Sequence, residues 1–210
     1  NFTHVASHAH ACEAIINSVE CGCASVEHGS FGNEKAYKMM AKAGTYLVPT
    51  LCVHPGLLDD EAFANQTPAH IRERYSSLRV TRIENLKLAR SLGVPVAMGT
   101  DVGTPGNHAG NNLREIKLMV NEVGYSPQEA LLASTLSGAE LMGRANDFGS
   151  LEVGKRADLV AMRSNPLTNI EALDSLDFVM KDGLVYRDDG QRLGQDAPGF
   201  WLKDDANRLN

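Results

Sequence analysis

No apolar run in this sequence approaches the about 20 residues that a membrane-crossing helix needs. Basic residues are in short supply as well: 20 Lys and Arg stand against 26 Asp and Glu, a formal net charge of −6. That balance leaves no cationic footprint, so neither nucleic acid nor an anionic membrane surface is expected as a partner. Cysteine is sparse, present at Cys12, Cys21, Cys23 and Cys52. Cys21 and Cys23 flank a single glycine, too close for a comfortable mutual disulfide, and no second pair completes a zinc-knuckle spacing. Free buried thiols are the expectation, and with them a reducing, cytoplasmic compartment. The chain also lacks an initiating methionine, a basic leader and an opening helix cap, beginning Asn1-Phe2-Thr3-His4-Val5-Ala6-Ser7 as if inside a strand. The expectation is a fragment or a processed chain, with any targeting signal carried upstream.

What is present suits a globular fold: 210 residues, 43% apolar and 22% charged, enough for one substantial core or a core with a small appendage. Residues 2–8 read as a strand ending in Ser7-His8-Ala9-His10, and residues 11–19 follow with apolar positions at helical spacing, stopped by Gly22. Residues 24–29 form a second strand closed by His28 and Gly29, and Asn33 caps a helix over 34–43 with Gly44 at its end. A third strand covers 45–51. The stretch 52–68 is longer than an ordinary strand-to-helix loop and reads as a lid or substrate loop. A long helix over 69–92 leads to the fourth strand, Val94-Pro95-Val96-Ala97, after which Gly99 lets the backbone turn. A glycine-rich loop, 102–110, and a helix over 112–123 complete this part. Alternating strands and helices predict an α/β fold with a parallel sheet.

Each of the four strands carries a polar or ionisable residue at its carboxyl end: His8, His28, Thr50 and Asp101. Parallel α/β enzymes keep their chemistry at that end. Neighbouring strands lie about 5 Å apart, so strand-end histidines can converge on one ion. Two imidazoles and a carboxylate suit zinc or a similar divalent metal. The plainer alternative is that Asp101 caps the following turn. His10 either points into the site or caps the next helix, and His108, in the loop after Asp101, either meets substrate or stands in solvent. Arg114 reads as an exposed helix residue, and His4, His54 and His70 as structural or surface residues.

From Ser126 the texture changes. Ser126-Pro127-Gln128-Glu129 is a capped helix start, and a second short helix lies near 137–143. Residues 149–162 read as turn, strand, turn, strand, and residues 178–187 as a hairpin around Asp182-Gly183. The tail from Asp188 is polar and expected to be loosely held.

Five stretches carry a family resemblance in this order: Val5-Ala6-Ser7-His8-Ala9-His10, Val26-Glu27-His28-Gly29, Tyr46-Leu47-Val48-Pro49-Thr50, Gly99-Thr100-Asp101, and Gly149-Ser150-Leu151-Glu152-Val153-Gly154-Lys155-Arg156-Ala157-Asp158-Leu159. Together they resemble the amidohydrolase superfamily, and most of all its Xaa-Pro dipeptidase and imidazolonepropionase-related branch. The resemblance implies the C-terminal half of a metal-dependent (β/α)8 TIM barrel plus part of a small β-sandwich. It places barrel strands five to eight and the helices after them in 1–148, the sandwich portion in 149–187 and a polar tail in 188–210. It makes His8, His28 and Asp101 metal ligands to one or two divalent ions, zinc being the expected one. Asp101 would also be the catalytic proton acceptor. Beside that resemblance, position alone makes His10 and His108 the candidate substrate contacts.

The family's strand-one His-x-His pair and strand-four lysine have no counterpart here, so the N-terminal half of the barrel is an implied partner, and a homo-oligomer is left open. The implied activity is hydrolysis of amide-type carbon–nitrogen bonds in dipeptide-like or N-acyl amino acid substrates. A cyclic-amide hydrolase or deaminase is the alternative, the latter weakened because Ala11 stands where mononuclear deaminases place a glutamate. A truncated, non-catalytic metal-binding chain is the third reading.

Overall fold

Neighbouring parallel strands need a crossover, usually a helix, and the computed structural model, which describes residues 4–192, builds such a sheet from β1 (Ala6–Ala11), β2 (Ser25–Phe31) and β3 (Tyr46–Val48), in that order. β1 runs beside β2 with His8 opposite Glu27 and Ala9 opposite His28, and a bulge follows Ala9. β1 therefore extends past His8, with His10 at the bulge. The strand expected over residues 2–8 thus runs three residues further.

The fourth strand is reduced to one parallel bridge between Leu47 and Val96. Pro95 has no N–H to offer. It only accepts, from Leu47 at 2.8 Å, and Ala97 returns one bond to the Leu47 carbonyl at 3.1 Å. Gly99 is absent from the left-handed positions, so its glycine serves close approach instead: a Cβ there would collide with Val48.

The helices cover the outer face. α1 (Cys12–Glu20) buries Ile15, and its Ser18 hydroxyl bonds Ser7 of β1 at 2.7 Å. α2 (Glu34–Ala43) starts where the Asn33 side chain accepts from Ala36 N–H, ends at left-handed Gly44 and buries Ala36, Tyr37 and Met40. The stretch read as a lid is helical: α3 (Val53–Asp59) buries Pro55, Gly56 and Leu57, and Asp60 caps α4 (Glu61–Gln66) by accepting from Phe63 N–H at 2.7 Å. The capping aspartate and the apolar stripe of α3 were the local signals for this. α5 (Ala69–Ser91) buries Arg82, Leu86 and Ala89, one stripe at helical spacing.

α6 (Leu113–Leu118) continues into a π turn over Met119–Val123 that ends at Gly124. α7 (Pro127–Ala133) opens with a complete capping box between Ser126 and Glu129, and α8 (Leu136–Leu141) follows. Ile15, Val26, Tyr37, Met40, Leu47, Leu86, Met119 and Ala133 form one core, drawn from the parallel strands and from α1, α2, α5, α7 and the turn after α6.

The second sheet is antiparallel, β4 (Leu159–Met162), β5 (Leu176–Lys181), β6 (Leu184–Asp188) and β7 (Gln191–Arg192) in sequence order. Asp182 and Gly183 both have positive φ, 52° and 77°, as a tight hairpin turn of this hand requires. The strand expected before β4 does not form. Leu151 and Val153 stand 78% and 108% exposed in a run of turns, and no described strand pairs with them. The tail expected to be loose from Asp188 instead adds β7. Positions 193–210 lie outside the described residues. A 3-10 turn, Ile170–Asp174, sends Ile170 and Leu173 into the main core.

Candidate metal centre

Alternation along β1 turns Ser7 toward α1 and leaves His8 and His10 together on the other face of the sheet. β2 brings His28 beside them. Among the described residues, His8, His10 and His28 form a group whose ligand atoms all lie within 4.8 Å of one another. The His8 and His28 rings meet edge-on at 4.5 Å between centroids, and His10 stacks on His28 at 4.5 Å with an interplanar angle of 11°.

Each ring is held by its second nitrogen or faces a neighbour. His28 Nε2 lies 3.0 Å from His8 Nδ1, His28 Nδ1 lies 2.7 Å from the Thr50 hydroxyl, and His10 Nδ1 lies 2.9 Å from the Ser30 hydroxyl. Burial pushes the His28 pKa down to about 4, assisted by the neighbouring His10, Arg82 and His8 charges and opposed by Asp101. Burial likewise lowers that of His10, with smaller contributions from His8 and Arg82. At neutral pH these two rings are uncharged, and a neutral imidazole has a lone pair to give a cation. Three nitrogen donors at this spacing fit a divalent metal of the zinc type.

Asp101 follows the Val96 bridge on an exposed turn. It is outside the compact triad, yet it is close enough for its charge to act on His10, His28 and Arg82. His108 is exposed on the same loop, where its carbonyl accepts from Asn111 N–H. The structure thus brings His8, His10 and His28 together, sets Asp101 near them and leaves His108 in solvent. Arg114 does not stand free in solvent. It bonds Asp59 at 2.5 Å, tying α6 to α3.

Three non-glycine residues take left-handed backbone: His28, inside β2, at φ 71°, and Thr50 and Asp101, past β3 and the Val96 bridge, at 50° and 52°. Such conformations cost about 1–3 kcal/mol each and persist where the surroundings over-determine them, commonly at functional sites.

Two charged residues that sequence reasoning passed over lie behind this row. Arg82 is 2% exposed and donates to the Thr50 hydroxyl at 2.7 Å. Glu115 is 0% exposed and accepts the backbone N–H groups of Leu51 and Cys52 at 2.7 and 2.8 Å. Burial raises the Glu115 pKa to about 7 against those bonds, and burial lowers that of Arg82 to about 10. The available signal was placement: each is a charged residue on the buried stripe of its helix, Arg82 with Leu86 and Ala89, Glu115 with Ile116 and Met119.

Comparison with known proteins bears on the family. The profile of the amidohydrolase family matches residues 3–185. An ochratoxinase from Aspergillus niger is 29% identical over 206 residues, which are 94% of this chain and 41% of the ochratoxinase. An imidazolonepropionase from Shouchella clausii is 31% identical over 181 residues, 84% of this chain and 35% of that enzyme. A solved Xaa-Pro dipeptidase with methionine bound in its active site matches with a TM-score of 0.78 and 34% identity, over 88% of this chain and 45% of that one. The chain spans less than half the length of each of these three relatives.

Proposed function

The chain belongs to the amidohydrolase family, and we propose on that footing that it supplies strands five to eight of a (β/α)8 barrel that hydrolyses amide-type carbon–nitrogen bonds with a divalent metal. The observation that carries this reading is the triad of imidazoles from two adjacent parallel strands, with ligand atoms within 4.8 Å, at the end of the sheet where such barrels keep their chemistry. His8 and His28 are assigned to the metal, with Asp101 as the carboxylate beside them and zinc as the first candidate ion. When bound, the ion would supply a Lewis acid for the substrate carbonyl and lower the pKa of water toward about 7.

The chain's own residues do the rest. Asp101 takes the proton of the attacking water and passes it to the leaving nitrogen. His10, stacked on His28 and held through Nδ1 by Ser30, is assigned to substrate contact or to a share in holding the ion. His108, on the exposed loop, is assigned to substrate contact. Dipeptide-like substrates are favoured by the Xaa-Pro dipeptidase and by a related prolidase, 28% identical, solved with N-methylphosphonate-L-proline. The imidazolonepropionase relative makes a cyclic amide the second class to test. The other barrel strands are the partner this reading requires.

Elemental analysis and hydrolysis assays on the full protein test it, with Xaa-Pro dipeptides, N-acyl amino acids and cyclic amides, with and without a chelator. Chelator-sensitive release of a free amine or acid is expected. Turnover that survives complete metal removal sinks the proposal. His28→Ala should lower the metal content, and unchanged occupancy would remove His28 from the ligand set.

A further inference from the structure

Thr50 stands between a buried cation and the imidazole assigned to the metal. It is 3% exposed, β-branched and in left-handed backbone, a combination that unstrained chains avoid. Two helices hold it there. Arg82 on α5 reaches its hydroxyl at 2.7 Å, and Glu115 on α6 grips the next two backbone N–H groups, those of Leu51 and Cys52. On its open side the hydroxyl lies 2.7 Å from His28 Nδ1, and His28 Nε2 then faces His8 Nδ1 at 3.0 Å.

From this juxtaposition we propose that Thr50, fixed by Arg82 and by the Glu115-held turn, is a positioning residue that sets the His28 ring with Nε2 toward the imidazole cluster. The inference rests on the assignment of His28 as a ligand and goes beyond it by naming what aims the ring.

Hydrogen-bond valence supports the arrangement. A guanidinium only donates, so Arg82 occupies one lone pair of the Thr50 oxygen and leaves the second. A ring that turns its Nε2 lone pair to a cation must carry its proton on Nδ1, and the second Thr50 lone pair is the acceptor at hand. Valine at 50 keeps the shape and deletes both bonds. Arg82 is then left with less still, since its Nε already has no partner.

Two measurements on the full chain test this, one without metal and one with zinc. Nitrogen-15 spectra of the zinc-free protein should show the His28 Nδ1 signal of a hydrogen-bonded ring in wild type and in Thr50→Ser, and its loss in Thr50→Val. Zinc affinity, read by chelator competition, should fall roughly 10- to 100-fold in Thr50→Val and return in Thr50→Ser. An unchanged ring signal in Thr50→Val, or an unchanged zinc affinity where the wild type binds zinc, overturns the proposal. Loss of the ring signal in Thr50→Val, with a wild type that takes up no zinc, separates the two ideas: the positioning stands and the metal assignment falls. If Thr50→Val does not fold, Arg82→Lys keeps the charge and withdraws the guanidinium fork. Weaker zinc binding at an unchanged thermal midpoint then supports the proposal, and unaltered binding overturns it.

Discussion

The parallel sheet and the antiparallel sheet of this protein use charge in opposite ways. Behind the parallel strand ends three buried ionisable groups each hold a named partner: Arg82 the Thr50 hydroxyl, Glu115 two backbone N–H groups, His28 Thr50. Around the antiparallel sheet, ion pairs are numerous and wet. Arg156 meets Asp182, Arg163 meets Asp177 and Asp189, and Lys155 meets Glu152. Burial decides what a charge is worth. Water screens the exposed pairs and substitutes for either partner, whereas a buried group that loses its partner has nothing to replace it.

Several substitutions sharpen that contrast or break it. The largest effect on activity is expected from Asp101→Asn in the complete enzyme. The amide cannot take a proton, so kcat should fall by at least about 10²–10⁴ with the thermal midpoint kept. Retained kcat would remove Asp101 from the chemistry.

The largest effect on stability is expected from Glu115→Ala, which orphans two buried N–H groups at about 1–3 kcal/mol each. Urea denaturation should show a loss of roughly 3 kcal/mol or more, and a loss no greater than that of a surface substitution would erase the difference between the two regions.

The pH dependence of stability follows from His28, Glu115 and the half-buried His54 of α3. Burial lowers the pKa values of His28 and His54 from 6.5 to about 4, so the unfolded chain binds their protons first, and their contribution is lost as pH falls from 6.5 toward 4. Glu115 runs the other way. Its pKa is raised from 4.5 to about 7, so its contribution is present below pH 4.5 and is lost as pH rises to 7. Between pH 4.5 and 6.5 the two trends oppose each other. Glu115→Gln removes one of them, and the fall in stability on acidification should become steeper in that window. An unaltered slope in denaturation midpoints would contradict the buried state of Glu115.

The smallest effect belongs to the antiparallel sheet. Arg156→Ala, despite two close contacts to Asp182, should cost at most about 1 kcal/mol and leave zinc affinity unmoved. A larger loss would mean that the wet pairs form a cooperative network.

Much of this was legible residue by residue. Asn33 and Gly44 bracket α2, and Ser126, Pro127 and Glu129 open α7, because caps satisfy backbone groups locally and need no distant partner. The Asp182-Gly183 turn is local in the same sense. The errors came where a neighbour decides. Leu151 to Val153 alternates like a strand, yet no described strand pairs with it. Pro95 reduces the fourth strand to one bridge. The stretch 52–68 folds as two helices because α3 can bury Pro55 and Leu57 against the rest of the chain. At the site, His8 and His28 stood out by residue type and place. The reach of His10 depended on the strand running further than its local pattern indicated, and Arg82 and Glu115 carried no motif at all.

Residue order alone determined the alternation of strand and helix, the caps, the family and the histidines at the strand ends, since each is written in short-range periodicity or in side-chain chemistry. Only the tertiary structure decided that three imidazoles share one space, that Thr50 holds the ring of one of them, and that an arginine and a glutamate far along the chain support Thr50. Those facts depend on which helix packs behind which strand, and residues 82 and 115 meet residue 50 only after the core has closed.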